Sequence, residues 1–195
     1  MQQIRNLRVV VSIDSRGILS ILDTTQKVQD ALCGAAQIFL EQCLISLDII
    51  KIESREFPSV TSSGGDVVES SLFFRSIVPI LQTYPGDVFI GITEREVVDL
   101  SIDLVPPSGQ DALLSGTHYE NILLISTLEM AAPMRVAAIV HELGQVFGAV
   151  HTDSGVRSVM TPDYTPFVDE QHPLPFDATN REIIRQNRFQ TFNLP

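Results

Sequence analysis

The sequence predicts an α/β fold in a single domain, a twisted mixed five-stranded sheet covered by helices. Three observations predict it. Short apolar runs rich in valine and isoleucine recur at 7–13, 47–52, 87–92 and 121–126, with segments of helical apolar spacing among them. Turn-forming clusters punctuate the chain between these segments. A length of 195 residues is enough for one sizeable core.

The run 7–13 has the continuous apolar character of a buried strand, and 24–44 then carries apolar residues at helical spacing. Cys33 and Cys43 fall on that helix, and at about 1.5 Å of rise per residue they stand roughly 15 Å apart, beyond disulfide reach. Both are expected to be reduced packing residues. A second strand is expected at 47–52, a surface loop at the Ser/Gly-rich stretch 59–65, a helix at 66–81 and a third strand at 87–92.

The stretch 97–105 alternates and carries Asp99 and Asp103, as a half-exposed edge strand does, before Pro106, Pro107 and Gly109 break the chain. Such an edge could bind an extended peptide by adding a strand. The segment 121–126 is the fifth strand. Helix then runs from Ala132, with Pro133 in its first turn, to about Phe147, where Gly148 ends it. A loop-rich part follows to Pro175, and Thr179-Asn180-Arg181-Glu182 reads as a capping box for a last helix ending near Phe192.

Composition narrows the partners. Lys and Arg number 13 against 24 Asp and Glu, a net charge of −11, which repels phosphate backbones and anionic membrane surfaces and excludes nucleic acid as a partner. No apolar stretch approaches the roughly 18 residues needed to span a bilayer, and no charged segment followed by an apolar run opens the chain. A soluble, cytoplasmic protein is expected, made without a propeptide. Oligomeric state is not readable.

The chemistry lies in His141-Glu142-Leu143-Gly144-Gln145-Val146-Phe147-Gly148-Ala149-Val150-His151. Residues four apart share a helix face, so His141 and Gln145 project side by side, and Gly148 lets the chain turn to return His151 to them. Three ligands and one open position describe a catalytic zinc site, with Glu142 beside the first ligand as general base toward a metal-activated water. A His-Glu pair alone on a helix is usually without meaning. The pattern with Gly148 and His151 is far more specific.

With Met160 following in Ser158-Val159-Met160-Thr161-Pro162, this stretch resembles a metzincin zinc metallopeptidase. The segments Phe89-Ile90-Gly91-Ile92-Thr93 and Val146-Phe147-Gly148 make the chain most similar to the archaemetzincins. The resemblance covers most of the chain and implies an upper subdomain of about 1–148, with the sheet and active-site helix. It also implies a lower subdomain of about 149–195, with a Met-turn and the C-terminal helix, and a substrate cleft between the two. By position it makes His141 and His151 zinc ligands, Gln145 the occupant of the remaining ligand position, Glu142 the general base and Met160 the residue under the metal.

Two departures stand out. Archaemetzincins carry four cysteines for a second, structural zinc; here Thr152 follows His151, and Ala178 and Arg181 stand where a Cys pair would fall, so no second zinc is expected. The other is Gln145. Its neutral amide oxygen is a harder donor than the imidazole zinc prefers, and metal affinity is expected to fall. Three readings stand: a natural site with a weakly held or rearranged zinc, a natural pseudo-enzyme, or an introduced substitution that silences the site.

His118 and His172 are candidates for a replacement ligand, each otherwise an ordinary loop histidine. Asp153 reads as a turn residue or as a group orienting a ligand, and Tyr164 as a packing or rim residue. The leading expectation is a zinc-dependent metallopeptidase acting on peptides or proteins. The alternative is a catalytically inactive, metzincin-like peptide-binding protein.

Overall fold

Period-two burial organises the centre of the molecule. The computed structural model describes residues 3–16, 21–62, 65–83, 86–98, 116–128, 130–169 and 174–192. Its elements are β1 (Arg5–Asp14), α1 (Ile21–Cys43), β2 (Ile45–Arg55), β3 (Ser59–Ser62), β4 (Gly65–Glu69), α2 (Ser70–Thr83), β5 (Val88–Thr93), β6 (Val97–Val98), β7 (Gly116–Tyr119), β8 (Ile122–Ser126), α3 (Ala132–Val146), a 3-10 turn at Thr165–Phe167 and α4 (Ala178–Asn187). Five strands form one sheet in the order β2-β1-β5-β8-β7, with β7 alone antiparallel to its neighbour. This is the mixed α/β sheet that the sequence predicts.

Successive residues of a strand point to opposite faces, and the two cores follow that rule. Leu7, Val9, Val11 and Ile13 of β1, Val88, Ile90 and Ile92 of β5, and Leu123 and Ile125 of β8 pack with α1, α3 and α4 on one face. Val10, Phe89, Ile122 and Leu124 point the other way, onto Phe73, Ile77 and Leu81 of α2 and Phe57. The central strands are therefore buried on both faces, which is why they read as unbroken apolar runs.

Several details differ from the sequence reading. Residues 59–62 and 65–69 are strands that form a hairpin, β3 and β4, and α2 begins at Ser70 rather than at residue 66. Polar Ser59, Thr61 and Asp66 face outward there, so the stretch has loop-like composition without being a loop. Val97–Val98 pairs parallel with β4 in a separate three-stranded sheet, β3-β4-β6, and is not the edge of the main sheet; 99–105 lies outside the described residues. The antiparallel edge is β7, joined to β8 by a tight turn with Glu120 at φ 52°. Cys33 is exposed, whereas Cys43 is fully buried. The cap of α4 is Asp177, whose carboxylate accepts from Asn180 N; the capping box at Thr179 does not form.

Candidate metal centre

Helix α3 crosses the sheet and delivers the first half of the motif already buried, with His141 6 % and Glu142 5 % exposed. Phe147 caps the helix and Gly148 follows at φ 86°, a conformation that disfavours any side chain and lets the chain reverse. The reversal brings His151 back over the helix end. His141 Nε2 and His151 Nε2 lie 3.2 Å apart. The predicted juxtaposition of these histidines is therefore present.

His141 Nδ1 donates to the Val159 carbonyl at 2.7 Å. A carbonyl only accepts, so the proton sits on Nδ1 and the Nε2 lone pair faces His151. Burial holds the imidazole pKa below the usual histidine value, against the opposing pull of the Val159 carbonyl and Glu142, and keeps the ring neutral. A carbonyl fixing the distal nitrogen is how a metal-binding histidine is oriented.

Gln145 closes the triangle. Its Nε2 is 3.2 Å from His141 Nε2 and 2.8 Å from His151 Nε2. An amide nitrogen carries two hydrogens, enough for one hydrogen bond to each imidazole lone pair. Tetrahedral zinc at about 2.0–2.1 Å from each nitrogen sets ligand atoms about 3.3 Å apart, so the His141–His151 separation fits that ion. The third position does not fit as it stands, because it presents N–H and not a lone pair; Oε1 is the only donor atom Gln145 has to offer a cation. Among the described residues no three His, Cys, Asp or Glu side chains gather to hold a metal.

Glu142 rests against β7. A Cβ at Gly116 would lie 2.7 Å from Glu142 Cγ and 2.8 Å from its Oε1, so the carboxylate rests directly on the edge-strand backbone. His118, two residues along β7, places Nδ1 3.4 Å from Glu142 Oε2. It meets the motif glutamate. His172 lies outside the described residues.

Met160 is fully buried in the turn Ser158–Thr161, which is closed by Thr161 N donating to Ser158 O at 3.1 Å. A Cβ on Gly144 would lie 3.1 Å from Met160 Sδ, so the methionine packs beneath the motif helix. Tyr164 is buried, with its ring 5.4 Å from the His141 ring, and it packs against the site and not at its rim. Asp153 is exposed and opens a turn closed by Val156 N at 3.0 Å. Thr152 bonds through its hydroxyl to Thr161, Ala178 opens α4, and Arg181 N donates to Asp177 O.

Three contributors to this geometry escape a reading of the motif. The Val159 carbonyl and Gly116 act through backbone, and Asn180 acts from a helix about thirty residues on, with Val150 N donating to Asn180 Oδ1 at 2.8 Å. The one signal available was Asp177-Ala178-Thr179-Asn180, which reads as a cap followed three residues later by a polar side chain.

No protein-family model matches the sequence, and no curated protein matches it by sequence. Solved structures do match. Archaemetzincin from Methanopyrus kandleri superposes with a TM-score of 0.60 at 16 % identity, covering 93 % of this chain and 95 % of that one. A zinc-dependent peptidase from Methanocorpusculum labreanum gives 0.58 at 12 % identity over 90 % and 99 %. A chain in a chaperone–substrate complex gives 0.60 at 10 % identity, covering 96 % of this chain but 34 % of that one. With strand order, motif helix and chain reversal already in place, the match along nearly the full length of the first two structures gives this chain an archaemetzincin-like fold.

Proposed function

We propose that the chain is a zinc-dependent metallopeptidase of the metzincin kind, attenuated at one ligand position. His141 and His151 hold a single catalytic zinc, and Gln145 turns its amide to offer Oε1 as a third, weaker donor. Zinc, when bound, supplies a Lewis acid that polarises the scissile carbonyl and lowers the pKa of water. Glu142 is the general base: its buried carboxylate takes the proton of the attacking water and passes it toward the leaving amine. His118 and the Gly116 backbone hold that carboxylate from β7, and Met160 forms the floor of the site as the Met-turn residue. An extended peptide or protein segment lies along β7, the strand that ends the sheet beside Glu142. Free Cys33 and Cys43 accord with the cytoplasmic setting of this reading.

The observation that carries the proposal is the approach of the two imidazole Nε2 atoms to 3.2 Å, with His141 oriented from behind by a carbonyl so that its Nε2 lone pair faces His151. Two neutral imidazoles converging in this way are the arrangement a shared cation requires. A second reading, an inactive peptide-binding protein, is favoured by one observation: the Gln145 amide already places its nitrogen between both rings.

Elemental analysis of protein purified without chelators, run beside Gln145→His with a peptide-cleavage assay on both, separates the two. About one zinc per chain and cleavage in the unaltered protein support an attenuated peptidase. Zinc and cleavage only in Gln145→His support the inactive reading. Neither metal nor cleavage in either protein removes the peptidase proposal.

A further inference from the structure

His151 is held in a different way from the other two members of the triangle. His141 and Gln145 ride on α3, whose backbone bonds fix them. His151 lies beyond the helix end, and it is itself exposed. The last bond back to the helix is made by Ala149 N to Gly144 O at 3.0 Å, and the next along the chain, Thr152 N to Met160 O at 3.0 Å, reaches the turn after it. Between them lies Val150, whose side chain is 57 % exposed and gives little packing to hold the chain.

Both backbone groups of Val150 are bound by one side chain. Val150 N donates to Asn180 Oδ1 at 2.8 Å, and Asn180 Nδ2 donates to Val150 O at 2.9 Å. Asn180 is fully buried. Its amide cannot be reversed, because Nδ2 also donates to Asp177 Oδ2 at 2.8 Å, a carboxylate only accepts, and the Val150 N–H only donates. Asp177 is tied in turn to Ser158 Oγ at 2.9 Å, and Ser158 Oγ accepts from Met160 N at 3.1 Å. The N-terminal turn of α4 therefore grips the chain on both sides of the site.

We infer that Asn180 is a positioning residue for His151: its amide clamps the Val150 peptide and thereby sets where the His151 imidazole stands relative to His141. This deepens the peptidase reading by naming what places its third motif residue, yet its test needs no metal. The clamp also explains why α4, which carries no motif residue, lies against the motif's end.

The test uses metal-free protein, with the imidazole nitrogens followed by long-range proton–nitrogen NMR and the Val150 amide by hydrogen exchange. In the unaltered protein the Val150 amide is expected to exchange at least about tenfold more slowly than an open loop, despite its exposed side chain. In Asn180→Ala the His151 ring signals are expected to shift and lose the Gln145 bond, while the His141 Nδ1 proton bound to Val159 stays in place. Asp177→Ala, which weakens the helix cap but leaves the two Val150 bonds available, serves as the control and should disturb His151 less at an equal loss of Tm. Unchanged His151 signals in folded Asn180→Ala overturn the inference, as does equal disturbance of both histidines in the two variants. Should Asn180→Ala not fold, an unprotected Val150 amide in the unaltered protein overturns it and a protected one supports it. Zinc content, measured separately, bears on the peptidase reading and leaves this outcome untouched.

Discussion

Gly116 is the residue at which the edge strand and the motif helix touch, and nothing but hydrogen fits there. A methyl group would sit 2.7–3.0 Å from three atoms of the Glu142 side chain. That side chain is 7 % exposed and has little room to withdraw. Gly116→Ala is therefore expected to displace Glu142 and to cost about 1–3 kcal/mol, as overpacking does. Thermal unfolding should show a Tm lower by roughly 2–10 °C for a chain of this size. Introduced into Gln145→His protein that cleaves peptide, the same change should lower kcat far more than zinc content. Unchanged Tm and kcat would mean that Glu142 moves aside freely. Among single residues the motif was legible because a helix brings positions one turn apart together through local geometry alone, as His141 and Gln145 show. Gly116 was not legible, since its role depends on which strand the helix faces.

At the scale of elements, α1 separates two thiols that the sequence treats alike. Cys33 is exposed on its outer face, whereas Cys43 is buried and its thiol is pushed up to about 12 by burial, with Arg185 and Arg181 pulling the other way. Thiol titration of the native protein with a disulfide reagent is expected to label Cys33 rapidly at pH 8 and Cys43 only on unfolding, because the thiolate is the reacting form. Labelling of both in the folded state would contradict the burial. Helix α4 depends on its first turn. Burial raises the Asp177 carboxyl, but the hydrogen bonds from Asn180 and Ser158 outweigh it and hold the group below the usual carboxylate range. A depressed folded pKa means stability that is present above the unfolded value of about 3.9 and lost as pH falls through the folded one. Asp177→Ala should cost about 1 kcal/mol or somewhat more near pH 7, and the Tm gap to the unaltered protein should close below about pH 4. A gap independent of pH would refute the carboxylate's role. The helix was legible from its composition; its cap was placed two residues late because Thr179 and Asp177 are both cap formers and only the backbone turn decides between them.

On the scale of the whole molecule, two sheets are joined by one buried ionic group. Arg95, in the link from β5 to β6, donates from Nε to Asp14 Oδ2 at 2.7 Å, and Asp14 at the end of β1 has no exposed side-chain surface. The same guanidinium reaches Asp66 of β4 at 3.2 Å and the Phe57 carbonyl at 3.1 Å. Thr93 Oγ1, Phe57 N and Arg16 N also donate to Asp14, at 2.7, 3.2 and 3.2 Å. The small sheet is thus fastened to the large one at the ends of parallel strands. A sequence reading does not find this, because Asp14, Asp66 and Arg95 are far apart in the chain and each passes for a surface charge; the hairpin they fasten was likewise hidden by its Ser and Gly content. Removing one partner of a buried pair leaves the other charged in a dry place, a larger loss than the pair's own worth. Arg95→Ala is therefore expected to lower stability by about 3–5 kcal/mol, a large share of the roughly 5–15 kcal/mol that holds an ordinary domain. Arg16, whose contact to Asp66 at 3.1 Å is half-exposed, offers the comparison: Arg16→Ala should cost under about 1 kcal/mol and less still at high salt. Urea unfolding midpoints at low and high salt measure both. If the two variants lose equal stability with equal salt dependence, the Arg95–Asp14 pair is not the fastening between the sheets, and apolar contacts of Phe57 and Val68 in the second core must hold them together instead.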